Sequence, residues 1–190
     1  MNDDIMSFDP GVHTGWATIS RDRNKTLGNF GLIKFENEIL YFAALTEIIN
    51  KQMPAQFVIE EPSHEMNLST FSKLRDKYAI IKLACMQYSV WHSKDNRKID
   101  VDSCKVFELK QLWKGLRRGM KKEQAIAYVK ARYHIDKVDN NIADAIVLAT
   151  FWLDKKELVL AQRVAREQKK TLLRKLRKED MSFLKLRILQ

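Results

Sequence analysis

Apolar and polar residues along the first part of the chain follow the short period of strands. Residues 4–9, 15–20 and 27–35 read as three strands joined by tight connections, Pro10-Gly11 breaking the first pair and Arg21 to Thr26 the second. They predict an antiparallel meander. From residue 37 the period lengthens, with Ile39, Leu40, Phe42, Ala43, Leu45, Ile48 and Ile49 at helical spacing, and an amphipathic helix is expected over 37–52, ending near Pro54. Phe57-Val58-Ile59-Glu60 forms a fourth strand that stops at Pro62. A long helix follows over 68–92, its Leu74, Tyr78, Ile81, Leu83, Ala84, Met86, Tyr88 and Trp91 facing the core over most of its length. Residues 98–101 read as a short fifth strand, and Ser103 as the cap of a helix to Trp113. A basic loop then leads into a helix over 121–133, and a last helix starts near Asn140. Strands in a hairpin series followed by alternating helices and strands imply an α/β fold, a five-stranded mixed sheet with helices on both faces.

Size and composition narrow the class. A chain of 190 residues with 45% apolar content can bury one full core. No stretch approaches a membrane span, and Met1-Asn2-Asp3-Asp4 lacks the basic region and apolar run of a secretory signal. A cytoplasmic protein, or one working wherever nucleic acid is kept, is expected, with no membrane partner. Cys85 and Cys104 have neither a paired-ligand spacing nor a disulfide framework, so reduced thiols are expected and a zinc site is not.

The net charge of +10 is unevenly spread. Residues 1–154 hold 22 basic against 20 acidic side chains, while residues 155–190 hold 12 against 4. Two parts are expected on this basis, a body over 1–154 and a basic helical extension over 155–190. The nearly neutral body has one local basic stretch, Lys114-Gly115-Leu116-Arg117-Arg118-Gly119-Met120-Lys121-Lys122. A polyanion fits both.

Three acids sit at structurally fixed points. Asp9 ends the first strand, Glu60 ends the fourth, and Asp144 lies one turn into a last helix that is otherwise apolar through Leu153. Each has a plain reading: Asp before Pro-Gly is a turn former, Glu60-Glu61-Pro62 suits a solvated strand end, and an acid near a helix start is favoured by the helix dipole. An acid inside an apolar helix is nevertheless costly unless it meets a cation. Together the three could hold hard divalent ions such as Mg²⁺ or Mn²⁺, which take oxygen ligands. Two such ions could serve phosphodiester hydrolysis.

The order Asp9-Pro10-Gly11-x-x-x-Gly15 on strand one, Val58-Ile59-Glu60 on strand four and Ala143-Asp144-Ala145 in the final helix resembles the RuvC family of Holliday-junction resolvases, within the RNase H-like nuclease superfamily. The resemblance runs from about residue 4 to 153 and includes Lys110-Gln111, Lys122 and Ser72-Lys73-Leu74-Arg75. It implies an RNase H-like fold and a metal-dependent endonuclease that, as a homodimer, nicks two strands of a four-way junction. It makes Asp9, Glu60 and Asp144 metal ligands. Where the family carries a fourth acid this chain has Asn141, whose amide oxygen can coordinate a hard cation but brings no charge. Asp139 could compensate or could cap the helix, and the cap is the favoured reading. Glu61 points away from Glu60, because strand side chains alternate.

Lys122 and Lys110 either neutralise charge near a scissile phosphate or face solvent on amphipathic helices. Arg117, Arg118 and Lys121 fit backbone clamps on DNA. His13 and His64 lie in the loops after the first two acids, where a polar surface role suffices. The basic extension, with Leu158, Ala161, Ala165, Leu172, Leu173 and Leu176 on one side, suits DNA first, dimer packing second and a membrane last. Branched DNA is therefore the expected substrate, whether four-way junctions, Y-shaped DNA or replication forks. The alternatives are an RNase H-like nuclease of looser flap or RNA specificity, and a non-catalytic junction binder with a metal site decayed at Asn141. An actin-like nucleotide binder lacks its second glycine-rich phosphate loop. Compactness, Asn141 and the basic extension suit a phage-type member.

Overall fold

The computed structural model describes residues 3–35, 37–63, 67–92, 99–105 and 122–188. Five strands form one mixed sheet: β1 (Asp4–Asp9), β2 (Thr14–Ser20), β3 (Leu27–Ile33), β4 (Gln56–Glu61) and β5 (Asp100–Lys105), in the order β3-β2-β1-β4-β5. β1 pairs antiparallel with β2 and parallel with β4, β2 pairs antiparallel with β3, and β4 pairs parallel with β5. The helices described are α1 (Glu38–Gln52), α2 (Leu68–His92), α3 (Lys122–Tyr133) and α4 (Asn140–Ile188).

Alternation along the strands builds two cores. Met6, Phe8, Trp16, Phe57 and Ile59 pack against Tyr41, Leu45 and Ile49 of α1 and Ile81, Ala84, Cys85 and Tyr88 of α2. The other face, with Ile5, Ala17, Ile19, Val58 and Cys104, meets α3 through Ala125 and Val129 and α4 through the run from Ala143 to Leu153. A side-chain period of two thus sends Asp9 and Glu60, in step with Ile5 and Val58, to the face covered by α3 and α4.

The expected meander, the fourth strand and the helices around it are all present. Asn37 caps α1, its side chain accepting from the backbone N–H groups of Ile39 and Leu40. Two expectations are corrected. β5 extends through Ser103, which is a strand residue whose hydroxyl bonds the Tyr78 hydroxyl at 2.6 Å and does not cap a helix. On α2 the buried stripe is Ile81, Ala84, Cys85 and Tyr88, whereas Leu83, Met86 and Trp91 are exposed. A stripe one or two residues wide per turn fits against the sheet, and the residues between its members must face away.

Chain contacts divide the protein into two compact units, Met1–Leu153 and Asp154–Gln190. In the first lies the sheet with both cores. The second is helical, and its side chains are exposed from Glu157 to Thr171. No helix among the described residues is long and apolar enough to cross a membrane.

Candidate functional site

Small residues let α4 lie close to the sheet. A Cβ added at Gly15 of β2 would stand 1.9 Å from the backbone oxygen of Asn141 and 2.9 Å from the nitrogen of Ile142. Only glycine permits that approach, because the obstacle is backbone and cannot turn aside. Ser7, fully buried on β1, donates its hydroxyl to the Ala145 carbonyl at 2.7 Å and fixes the helix at its second turn. Ala143, Ala145 and Ala149 fill the remaining interface without pushing it apart. The short side chain of Asp144 is thereby carried to the end of β1.

Asp9 and Gly15 are register partners, so the glycine that admits α4 lies directly across the ladder from the acid. Parallel pairing of β1 with β4 runs through Phe8 and Ile59, and the next step of that register sets Asp9 beside Glu60. Both acids therefore stand at the carboxyl ends of adjacent parallel strands, where open α/β sheets commonly bind their ligands. Asn141 joins them from α4, its side-chain oxygen 3.1 Å from where a Gly11 Cβ would lie.

The electrostatics tie Asp9, Asp144 and Lys122 into one site. Burial pushes the Asp9 carboxyl up to about 7, and the Asp144 carboxylate adds to the rise while Lys122 opposes it. Asp144 is raised as well, first by burial, with Lys122 pulling it down and Asp139 pushing it up. A single lysine at the first residue of α3 thus acts on both aspartates. Asp139 is the helix cap, its carboxylate accepting from the Asn141 N–H at 2.8 Å, yet it remains close enough to disfavour a second negative charge at Asp144.

Glu61 alternates to the opposite face, in step with Phe57 and Ile59. His13 is exposed at the rim of a cleft of about 600 Å³ that it shares with Lys73 and Lys77. Lys110, Arg117, Arg118, Lys121 and His64 lie outside the described residues. Among the described residues, no three His, Cys, Asp or Glu side chains close into a cluster that could hold a metal ion. Asp9, Glu60 and Asp144 are brought to one end of the sheet without closing into such a cluster.

Three contributors to the site are not evident from the residues alone. Gly15 is legible only as the second glycine of a motif, and Ser7 only as a polar residue in an apolar strand. Lys77 gives no signal at all. Its ammonium donates to the Gly11 carbonyl at 3.2 Å and to the Val12 carbonyl, clamping the turn after Asp9 from α2.

An antiparallel meander continued by two parallel strands, with helices on both faces and acids at the ends of β1 and β4, defines an RNase H-like α/β fold. Solved structures of Holliday-junction resolvases share it. A Thermus thermophilus RuvC in complex with a Holliday junction substrate matches with a TM-score of 0.61 at 16% identity, covering 79% of this chain and 92% of that one. A yeast mitochondrial Holliday junction resolvase gives 0.62 at 10% identity, over 88% of this chain and 84% of its own. A fowlpox virus resolvase, solved with substrate Holliday junction DNA, gives 0.52 at 14% identity, over 80% and 97%. No protein-family model matches the sequence, and comparison with curated protein sequences yields no match.

Proposed function

We propose that this chain is a divalent-metal-dependent endonuclease that hydrolyses phosphodiester bonds in branched DNA, resolving four-way junctions by paired nicks as a homodimer. The observation that carries the reading is the convergence of Asp9, at the carboxyl end of β1, with Asp144 of α4, near enough that the Asp144 carboxylate raises Asp9 and Lys122 acts on both. Packing that keeps two acids together against burial and repulsion is costly unless a cation offsets it. The donor set suits a hard ion: Asp9, Glu60 and Asp144 would hold it through carboxylate oxygens and Asn141 through its amide oxygen. Bound there, Mg²⁺ or Mn²⁺ would supply an acidified water and neutralisation of charge on the phosphate.

The chain's own residues do the rest. Lys122, exposed at the start of α3, is available to a phosphoryl oxygen while holding Asp9 and Asp144 toward their charged forms. Lys77 and Gly15 position the acids, the first through the turn that follows Asp9 and the second through the seat of α4. Lys110, Arg117, Arg118 and Lys121 would hold the DNA backbone without reading its sequence. The fold shared with resolvases solved on Holliday junctions supports the substrate class.

Asn141 favours a second reading, a junction-binding protein that does not cut, since the position beside Gly11 brings no charge. Labelled four-way, Y-shaped and linear DNA incubated with wild type and with Asn141→Asp, in Mg²⁺ or Mn²⁺, separates the two. The nuclease reading predicts symmetric nicks in the four-way junction by wild type, and a lower metal requirement for Asn141→Asp. Tight junction binding by wild type without cleavage in either metal would leave the binder.

A further inference from the structure

A group of basic residues lies beyond the other end of β1 from Asp9. The β2–β3 turn and the end of α3 enclose a cleft of about 590 Å³ whose walls include Arg23, Lys25 and Thr26 on one side and Arg132, Tyr133 and His134 on the other. Arg23, Arg132 and His134 are exposed there, Lys25 is buried, and none of the residues lining the cleft is acidic. Residues 1–154 as a whole carry a net charge of only +2, from 22 basic and 20 acidic side chains, so this is a local concentration and not a sample of a basic surface.

The cleft is built on fixed parts. Asp22 ties the turn together: its carboxylate accepts from the Thr26 backbone N–H at 3.3 Å and from the Thr26 hydroxyl at 3.0 Å, and its carbonyl accepts from the Lys25 N–H at 3.1 Å. The Ser20 N–H closes the turn onto the Thr26 carbonyl at 2.9 Å. On the facing wall the Arg132 guanidinium lies over the Tyr133 ring, 5.5 Å from its centre, and the Tyr133 hydroxyl is held by Thr150 at 2.9 Å. Leu27 and Tyr133 both pack onto the core beneath. The Tyr133 ring is thus held both at its hydroxyl and by its packing on the core.

Backbone conformation adds an independent observation. Lys25 and His134 are two of the three non-glycine residues with positive φ among the described residues, at 51° and 55°. Glycine costs least in that region, yet the chain carries a cation or a titratable ring at both positions. The dipole at the end of α3 accounts for a basic residue at His134. It does not account for Arg23 and Lys25 across the cleft.

We propose that this cleft binds phosphate groups of a nucleic-acid strand, at a site separate from Asp9. The inference rests on the nuclease reading for the identity of the strand. Asp4 and Ser20 are register partners, so the turn lies at the opposite end of β1 from Asp9. Five strand steps separate the two ends, roughly 17 Å at strand spacing. That distance corresponds to about five nucleotides of a duplex strand. A DNA arm whose scissile phosphate lies at Asp9 would bring a later phosphate within reach of Arg23 and Arg132, the exposed arginines of the cleft. Arginine suits such a contact because its fork takes two phosphate oxygens at once.

The test is duplex and four-way junction binding by the full chain in chelator, where no cleavage occurs, across a salt series. Arg23→Gln with Arg132→Gln is expected to flatten the slope of log affinity against log salt by about 0.9 for each phosphate no longer neutralised, roughly 1.8 in all. Arg23→Lys with Arg132→Lys keeps the charges and is expected to keep most of the slope. A double glutamine variant with the wild-type slope and an unchanged circular dichroism spectrum would overturn the proposal. Amide resonances of Arg23, Lys25 and His134 that shift with inorganic pyrophosphate but not with duplex DNA would also overturn it, assigning the cleft to a small phosphate ligand. Because binding is read without metal, a wild type that never cuts would defeat the nuclease reading while leaving this slope measurement intact.

Discussion

The Asp9 carboxyl affects folding as well as chemistry, since burial and Asp144 push it up to about 7 from an ordinary value of 3.8. Well below pH 3.8 it is protonated in the folded and unfolded chain alike, and no cost arises. Between 3.8 and about 7 the unfolded chain gives up the proton while the folded protein keeps it, so stability falls as pH rises and the loss is complete above that window. Thermal unfolding in chelator is expected to show Asp9→Asn gaining on wild type by on the order of 3 kcal/mol between about pH 4 and about pH 7.5. Mg²⁺ or Mn²⁺ at the upper end of that range should return most of that difference to wild type alone. Parallel pH profiles for the two proteins would contradict the buried acid pair. Asp9, Glu60 and Asp144 are legible in the sequence because each stands at the end of a strand or inside an apolar helix, where an acid has to be accounted for. Lys77 is not, because a lysine on a half-polar helix looks the same whether it faces water or clamps two carbonyls.

At the scale of elements, the site depends on how closely α4 approaches β2. Gly15→Ala places a methyl group 1.9 Å from the Asn141 oxygen and 2.3 Å from its carbon, so the helix must shift or the strand must bend. Denaturant unfolding is expected to show a loss of about 1–3 kcal/mol, the usual cost of overpacking a fixed interface. Cleavage should fall by a larger factor than stability alone accounts for, because the shift moves Asp144 and Asn141 away from Asp9. An alanine variant with wild-type stability would show that the helix seat is not fixed by this glycine. The strand and helix periods make β1 to β4, α1 and the start of α4 readable. β5 is hard to read at Ser103 because Asp100-Val101-Asp102-Ser103-Cys104-Lys105 is polar at most positions and has little strand propensity of its own. Its register with β4 and the Tyr78 hydroxyl decide its conformation, and neither is visible locally. Leu83, Met86 and Trp91 look like core residues for a related reason: α2 carries apolar residues on two sides, and periodicity alone does not say which side the sheet takes.

For the whole molecule, the balance of charge separates a near-neutral body from residues 155–190, which carry 12 basic against 4 acidic side chains. If that extension grips DNA, a chain ending at residue 154 binds four-way junctions more weakly and with a shallower salt slope, by about 0.9 for each phosphate the extension neutralises. An unchanged slope would assign the extension to another role. Resolvases with the same fold match this chain at 10–16% identity, so the topology is shared where most of the residues are not. The central claim is that Asp9 and its neighbours form a metal-dependent phosphodiesterase centre for branched DNA. It is tested most directly by the single-turnover cleavage rate of a labelled four-way junction in Mg²⁺ or Mn²⁺, comparing wild type with Asp9→Asn. The account predicts paired nicks by wild type and a loss of roughly a hundredfold or more in the variant with junction binding retained; equal rates would contradict it.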